Sequence, residues 1–182
     1  MRIIAGDAKG RRLKSFNGLE IRPTYDRVRE TLFNILGSRV EGVPFLDLFA
    51  GTGNVGLEAL SRGASPVVFI ESCLKAIHLI EANLAICSFS PDRYRILVQD
   101  VFQALPYLSW RGDRFYTIFL DPPYHTQLAA QALAKCGQMD IVASGGMVVA
   151  QHDKRDDLER EYGYLKLFRT KKIGDTALSF YK

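Results

Sequence analysis

The sequence predicts an α/β fold, Rossmann-like, with a mostly parallel seven-stranded sheet, helices on both faces, an antiparallel C-terminal strand and a small N-terminal β-hairpin extension. Three observations carry that expectation. From residue 45 onward, short apolar runs alternate with stretches of helical periodicity. A glycine-rich turn follows the first run, and several later runs end on an acid. Alternation of this kind favours parallel strands joined by helices.

The elements follow in order. Arg2 to Lys14 reads as two short strands around the turn Asp7-Ala8-Lys9-Gly10. From Tyr25 to Leu36, Val28, Leu32, Ile35 and Leu36 recur at helical spacing, and Gly37 is placed to end the helix. Val28, Leu32 and Leu36 belong to the core. Strands and helices then alternate through 45–49, 55–62, 67–71, 74–86, 94–99, a short helix ending at Leu108, 116–120, 128–136 and 147–151. Residues 164–169 and 177–181 have strand composition around a Gly174-Asp175 turn, a closing hairpin that adds the antiparallel strand. With 182 residues, 47% hydrophobic, the chain can bury one substantial core. One domain over 1–182 is expected, with 1–23 as the basic extension and 24–182 as the core. Trp110, before Arg111-Gly112, is expected as a half-buried loop anchor.

The chemistry is concentrated at strand ends, where open α/β sheets hold their ligands. Phe45-Leu-Asp47-Leu-Phe49-Ala50-Gly51-Thr52-Gly53-Asn-Val-Gly56 is an apolar strand, a glycine turn and a helix start. Gly51, Gly53 and Gly56 match the dinucleotide fingerprint, in which absent side chains admit a ligand to the backbone and let the helix pack closely. Glu71 closes the next strand about 20 residues on, placed to accept both hydroxyls of a ribose. Asp47 can meet a cationic amino-acid group through water or the turn. That pair of acids suits S-adenosylmethionine. Asp100, after the strand ending at Gln99, can accept from an adenine amino group; solvated helix N-caps are the plainer reading of Glu71 and Asp100 taken singly.

After the run 115–120 comes Asp121-Pro122-Pro123-Tyr124. An exocyclic amine on a nucleobase is a poor nucleophile, because its lone pair is delocalised into the ring. The Asp121 carboxylate and the Pro122 carbonyl can each accept one of its N–H bonds as positive charge develops on nitrogen. Pro122 and Pro123 stiffen the turn and fix the direction of that carbonyl. Tyr124 would stack on the base. On its own the tetrapeptide also reads as a simple strand terminus.

Charge is uneven. Residues 1–30 hold eight Lys or Arg against four acids and residues 166–182 five against one, so with +4 overall the middle carries a net −4. Basic ends around an acidic middle suit phosphate contacts flanking a base pocket, with Lys9, Arg11, Arg12, Lys14, Arg27, Arg29, Lys171 and Lys172 as candidates. A solvated basic face is the alternative. Cys73, Cys87 and Cys136 are odd in number and far apart, and His78, His125 and His152 are equally scattered, so neither a disulfide framework nor a metal is expected. No apolar run reaches the ~18 residues of a membrane span and the start lacks a signal-peptide pattern, so a cytoplasmic protein is expected, with monomer as the default where the oligomeric state is open.

These motifs together resemble the RsmD family, bacterial methyltransferases acting on guanine N2 of small-subunit (16S) ribosomal RNA. The resemblance rests on Arg22-Pro23-Thr24 with Asp26-Arg27-Val28-Arg29-Glu30, on Asp47 through Gly53 continuing from Gly56 to Ala64, on Asp121 to Tyr124 and on Gly174-Asp175-Thr176, and it spans nearly the whole chain. It implies a class I S-adenosylmethionine-dependent fold. Asp47, Phe49, Ala50, Gly51, Thr52, Gly53 and Gly56 would lie along the methionine and ribose part of the cofactor, Glu71 on the ribose, and Asp100 with Val101 at the adenine. Asp121 to Tyr124 would form the base site, with Asp121 also against the cofactor, and Arg22 and Thr24 would approach the cofactor's amino-acid end or the RNA. It also implies a substrate within an assembled or partly assembled small subunit. One departure stands out: an acid is expected before His152, and this chain has Gln151.

Alternatives remain open on residues alone. A nicotinamide oxidoreductase would use the same glycines and Glu71 but leaves Asp121 to Tyr124 without a task. An adenine N6 methyltransferase would need the same amine clamp. A non-catalytic RNA-binding assembly factor would bind without transferring methyl groups.

Overall fold

The computed structural model describes residues 1–16 and 23–182, with only the backbone of 23–25. Its elements are α1 (Pro23–Leu36), β1 (Phe45–Asp47), α2 (Asn54–Ser61), β2 (Val67–Glu71), α3 (Leu74–Cys87), β3 (Tyr94–Val98), α4 (Val101–Trp110), β4 (Phe115–Leu120), α5 (Leu128–Gln138), β5 (Val142–Asp153), β6 (Glu161–Tyr162), β7 (Leu165–Ile173) and β8 (Thr176–Tyr181). The sheet runs β3-β2-β1-β4-β5-β8-β7-β6. The first five strands in that order are mutually parallel, and β8 enters antiparallel between β5 and β7. The expected mixed sheet is therefore present, with the two-residue β6 as an eighth strand that is too short to leave a periodic signal.

Alternating side chains divide two cores. Phe45, Val67, Phe69, Phe119 and Val149 face α1, α2 and α3, while Leu46, Val68, Ile70, Ile118 and Val148 face α4 and α5. Neighbours along a strand point to opposite faces, so near-continuous apolar runs signal strands covered on both sides. On α1, Val28, Leu32 and Leu36 are buried as their spacing predicts. Gly37 follows at φ +59, taking the left-handed turn that ends the helix.

Three expectations are corrected. The N-terminal strands reduce to one antiparallel bridge, Arg2 to Arg12. Part of the segment's backbone bonds to α2 instead: Ile4 and Ala5 N–H donate to the Glu58 carboxylate, and Asp7 N–H donates to the Ser61 carbonyl. Trp110 is the last residue of α4 and 83% exposed, because Val101, Ala104, Leu105 and Leu108 take the core-facing stripe and position 110 falls off it. The strand expected at 147–151 begins earlier, at Val142, with a register shift against β4 that absorbs the Gly145-Gly146 stretch.

Helix α5 meets the turn between β6 and β7 backbone to backbone. A Cβ on Gly137 would lie 1.8 Å from the Tyr162 carbonyl oxygen, and the Gly137 carbonyl accepts from Tyr164 N–H at 3.1 Å. Gly137→Ala should therefore cost about 1–3 kcal/mol of stability, since the obstruction is backbone and cannot rotate away. Urea unfolding of the two proteins measures it.

Candidate active site

Strand order places the site. β1 lies beside β4, and from these two strands the sheet order runs outward in opposite directions, which makes a crevice at their C-terminal ends. In register, Asp47 pairs with Phe119, and Leu48 N–H donates to the Phe119 carbonyl at 2.9 Å. The glycine turn after β1 and the acidic tip after β4 are thereby held side by side.

Two connected hollows result. One, of about 310 Å³, is bordered by Asp47, Phe49, Ala50, Gly51, Thr52 and Asp121, together with Arg29, Asn54, Gln151 and the N-terminal Met1 and Ser15. The other, a wider groove, is bordered by Glu71, Asp100, Pro122, Pro123, Tyr124 and Leu128. Phe49, Gly51 and Asp121 border both.

The glycines do different work. A Cβ on Gly51 would enter open space, so its absence leaves the cavity clear. Gly53 takes φ +80 as the residue preceding α2, a left-handed conformation that suits glycine. A Cβ on Gly56 would lie 2.2 Å from the Phe69 ring, so this position lets α2 close on β2. Glu71 organises the turn: it accepts from Gly51 N–H at 2.8 Å and from Ser72 and Cys73 N–H at 2.8 and 2.7 Å. Asp100 caps α4 by accepting from Phe102 N–H, so the plainer reading of this acid holds while it also borders the groove. Val101 turns its side chain into the core and does not border the groove.

The two central carboxyls share an unusual environment. Asp47 is 1% exposed and accepts from Gly56 N–H at 2.9 Å; burial pushes it up to about 7 against that hydrogen bond, with a smaller contribution from Glu71. Asp121, half-buried on the cavity wall, is also pushed up to about 7, first by burial and then by Asp47, while a hydrogen bond from Gln151 acts in the opposite sense. The usual value is 3.8. Between about pH 4 and pH 7 the folded protein thus holds protons that the unfolded chain has released. Unfolding free energy should fall as pH rises through that window, because charge is forced onto desolvated groups. Urea titrations at pH 5 and pH 8 should show the loss, and Asp121→Asn should shrink it.

Among the candidate cations, Lys9, Arg11, Arg12, Lys14, Arg27, Lys171 and Lys172 are exposed. Arg29 is not: it is 3% exposed, donates to the Arg2 carbonyl and to Asp26, and lies 3.7 Å from the buried Glu58. It is a structural anchor, and its position within a basic N-terminal stretch concealed that. Arg22 and the side chain of Thr24 lie outside the described residues.

Two buried polar residues take roles that the sequence does not announce: Asn83, and Gln151, which stands out there only as a departure from an expected acid. Asn83 faces the core from α3, accepting from Lys14 N–H at 2.7 Å and donating to the Lys14 carbonyl at 3.0 Å; it ties the N-terminal segment beside the glycine turn. Its position three residues after Ile80, on the core-facing stripe, was a usable signal. Gln151 lies on the fifth parallel strand level with Asp121, which follows the fourth, and as the last residue of the strand expected at 147–151 it was within reach of the strand-end pattern. Among the described residues no cluster of His, Cys, Asp or Glu could hold a metal ion, and no helix is long and apolar enough to cross a membrane.

Comparison with known proteins supplies the family. The model of the family described as Conserved hypothetical protein 95 matches residues 1–182. YlbH of Bacillus subtilis (strain 168) is 37% identical over 182 residues, covering 100% of this chain and 98% of that protein. Ribosomal RNA small subunit methyltransferase D of Escherichia coli (strain K12) is 31% identical over 182 residues, covering 100% and 89%. The solved structure of yhhF from Escherichia coli superposes with a TM-score of 0.84 at 32% identity, covering 100% and 96%.

Proposed function

From the premise that the chain belongs to the Conserved hypothetical protein 95 family, whose members include ribosomal RNA small subunit methyltransferase D, we propose that it methylates the exocyclic N2 amine of a guanine in 16S ribosomal RNA, using S-adenosylmethionine. The observation that carries this reading is the shared wall: Asp121 borders both the cavity at the glycine turn and the groove containing Glu71 and Tyr124.

The residues present fit that cofactor. Gly51 leaves open space where a side chain would intrude, Asp47 offers a buried carboxylate beside it, and Glu71 and Asp100 supply acceptors along the groove. Bound there, S-adenosylmethionine supplies an electrophilic methyl group. The chain's own contribution is to hold the nucleophile. Asp121 and the Pro122 carbonyl accept the two N–H bonds of the amine, favouring a more pyramidal nitrogen as its positive charge grows. Tyr124 supplies a ring against the base. Proton loss follows transfer, so no strong base is required beforehand. Holding both reactants in this way replaces a bimolecular encounter, an effect worth several kcal/mol.

The exposed Lys9, Arg11, Arg12, Lys14 and Arg27, with Lys171 and Lys172 on β7, are in this reading the cations that neutralise phosphates of the bound RNA. The substrate is then rRNA in an assembled or partly assembled small subunit, acted on by a cytoplasmic monomer. Only the family selects guanine N2, because the amine clamp concerns the nitrogen and not the ring that bears it.

The test is radiolabelled methyl transfer into small ribosomal subunits from a strain lacking this protein, followed by nucleoside analysis. The expected product is N2-methylguanosine at one site in 16S rRNA. Methylated adenine would move the assignment to another amine, and tight RNA binding without incorporation would leave a non-catalytic assembly factor.

A further inference from the structure

Asp121 does not stand alone on its strand edge. β4 and β5 pair in register, Leu120 with Ala150, so the next residues, Asp121 and Gln151, face one another across the two strands. Gln151 is 4% exposed and borders the same cavity. Its Nε2 donates to the Tyr124 hydroxyl at 3.0 Å, and from the adjacent strand it acts on the Asp121 carboxyl in the sense opposite to burial. The Tyr124 hydroxyl lies 3.4 Å from Thr176 Oγ1 on β8.

Resting on the amine-clamp reading above, we infer that Gln151 is a positioning residue whose amide joins the Asp121 carboxylate to the Tyr124 hydroxyl, fixing the acceptor and the aromatic ring of the base site in one arrangement. A primary amide suits this task. It carries two N–H donors on one nitrogen, so a single group can serve a carboxylate and a phenol oxygen together. Both neighbouring residues follow a strand on a loop stiffened by Pro122 and Pro123, and a buried partner on the adjacent strand restricts what backbone stiffness leaves free.

Neutrality matters as much as donation. The ionisable side chains on the walls Asp121 borders are Asp47 from β1, Arg29 from α1, Glu71 at the end of β2, Asp100 before α4, and Tyr124. Asp47 already repels the ionised form of Asp121. A carboxylate at position 151 would add to that repulsion, whereas the amide favours the ionised acceptor that the amine requires.

The experiment is a carboxyl-carbon NMR titration of aspartate-labelled protein, with the Asp121 signal assigned through Asp121→Asn, combined with kcat and KM against pH. Gln151→Met removes both donors at similar length. Its Asp121 carboxyl should titrate about one pH unit higher, as expected for losing a hydrogen bond to a charged group. kcat should fall about tenfold below pH 7 and recover toward alkaline pH, with KM for the subunit changed less than about twofold. Should Gln151→Met fold poorly, Gln151→Glu keeps the shape, removes the donor and adds charge, and it must raise the Asp121 titration as well. An unchanged titration in the folded variants, or a loss of kcat equal at every pH, overturns the inference. The titration needs no turnover, so a wild-type protein that transfers no methyl group would sink the functional reading while leaving the role of Gln151 open to measurement by NMR.

Discussion

Asp121→Ala is expected to lower methyl transfer by about 100- to 1,000-fold, the range found when one preorganised group facing developing charge is removed. Cofactor affinity, measured by calorimetric titration with S-adenosylmethionine, should change by no more than a few-fold. The separation follows from position. Glu71, which accepts from Gly51, Ser72 and Cys73 N–H, and Asp47, which accepts from Gly56 N–H, hold the glycine turn without help from Asp121. Asp121→Asn sharpens the test: it keeps the shape and one acceptor oxygen but removes the charge that would stabilise the positive nitrogen. It should retain more activity than alanine, and its residual rate should lose the pH dependence contributed by a carboxyl pushed up to about 7. Near-normal turnover in either variant would remove the tetrapeptide from the chemistry and reduce it to a strand terminus.

That the site was legible at all reflects where the chemistry lies. Gly51, Gly53 and Gly56 have spacing with a mechanical meaning: Gly51 and Gly53 both take positive φ, Gly51 beside open space, and Gly56 meets Phe69. Strand ends were visible because β2, β3 and β4 are apolar runs that stop abruptly at polar residues. What could not be seen was lateral order. Nothing in the alternation says that β4 lies beside β1, or that β8 inserts between β5 and β7, yet that order brings Asp121 to the glycine turn and Thr176 to Tyr124. Gln151 was noticed as a departure from an expected acid, but its partners arise from register between strands whose sequence positions are far apart. Arg29 was misjudged for the same reason. Charge counted along a chain cannot tell a solvated cation from one neutralised by a distant residue, and Glu58 lies 29 positions away in sequence.

Glu58→Ala is the second large effect, expected to cost about 3–5 kcal/mol in urea unfolding. Glu58 is fully buried within α2 and accepts from Ile4 N–H at 2.8 Å, Ala5 N–H at 3.0 Å and Arg62 Nε at 2.8 Å, with Arg29 Nε at 3.7 Å. Removing it leaves two backbone donors without their acceptor and the buried Arg29 guanidinium with the half-exposed Asp26 as its remaining carboxylate, and weakening the compensation of a buried charge is the expensive step. Arg29→Met should be milder, because Glu58 keeps Arg62 and both amides. If Glu58→Ala proves nearly neutral, the N-terminal segment is held instead by the Asn83 and Ser61 contacts. The consequence reaches the site, since Met1 and Ser15 border the cavity beside Asp47 and the same segment carries Lys9, Arg11, Arg12 and Lys14. Glu58→Ala should therefore weaken binding of both cofactor and RNA at temperatures where the core remains folded, although Glu58 touches neither.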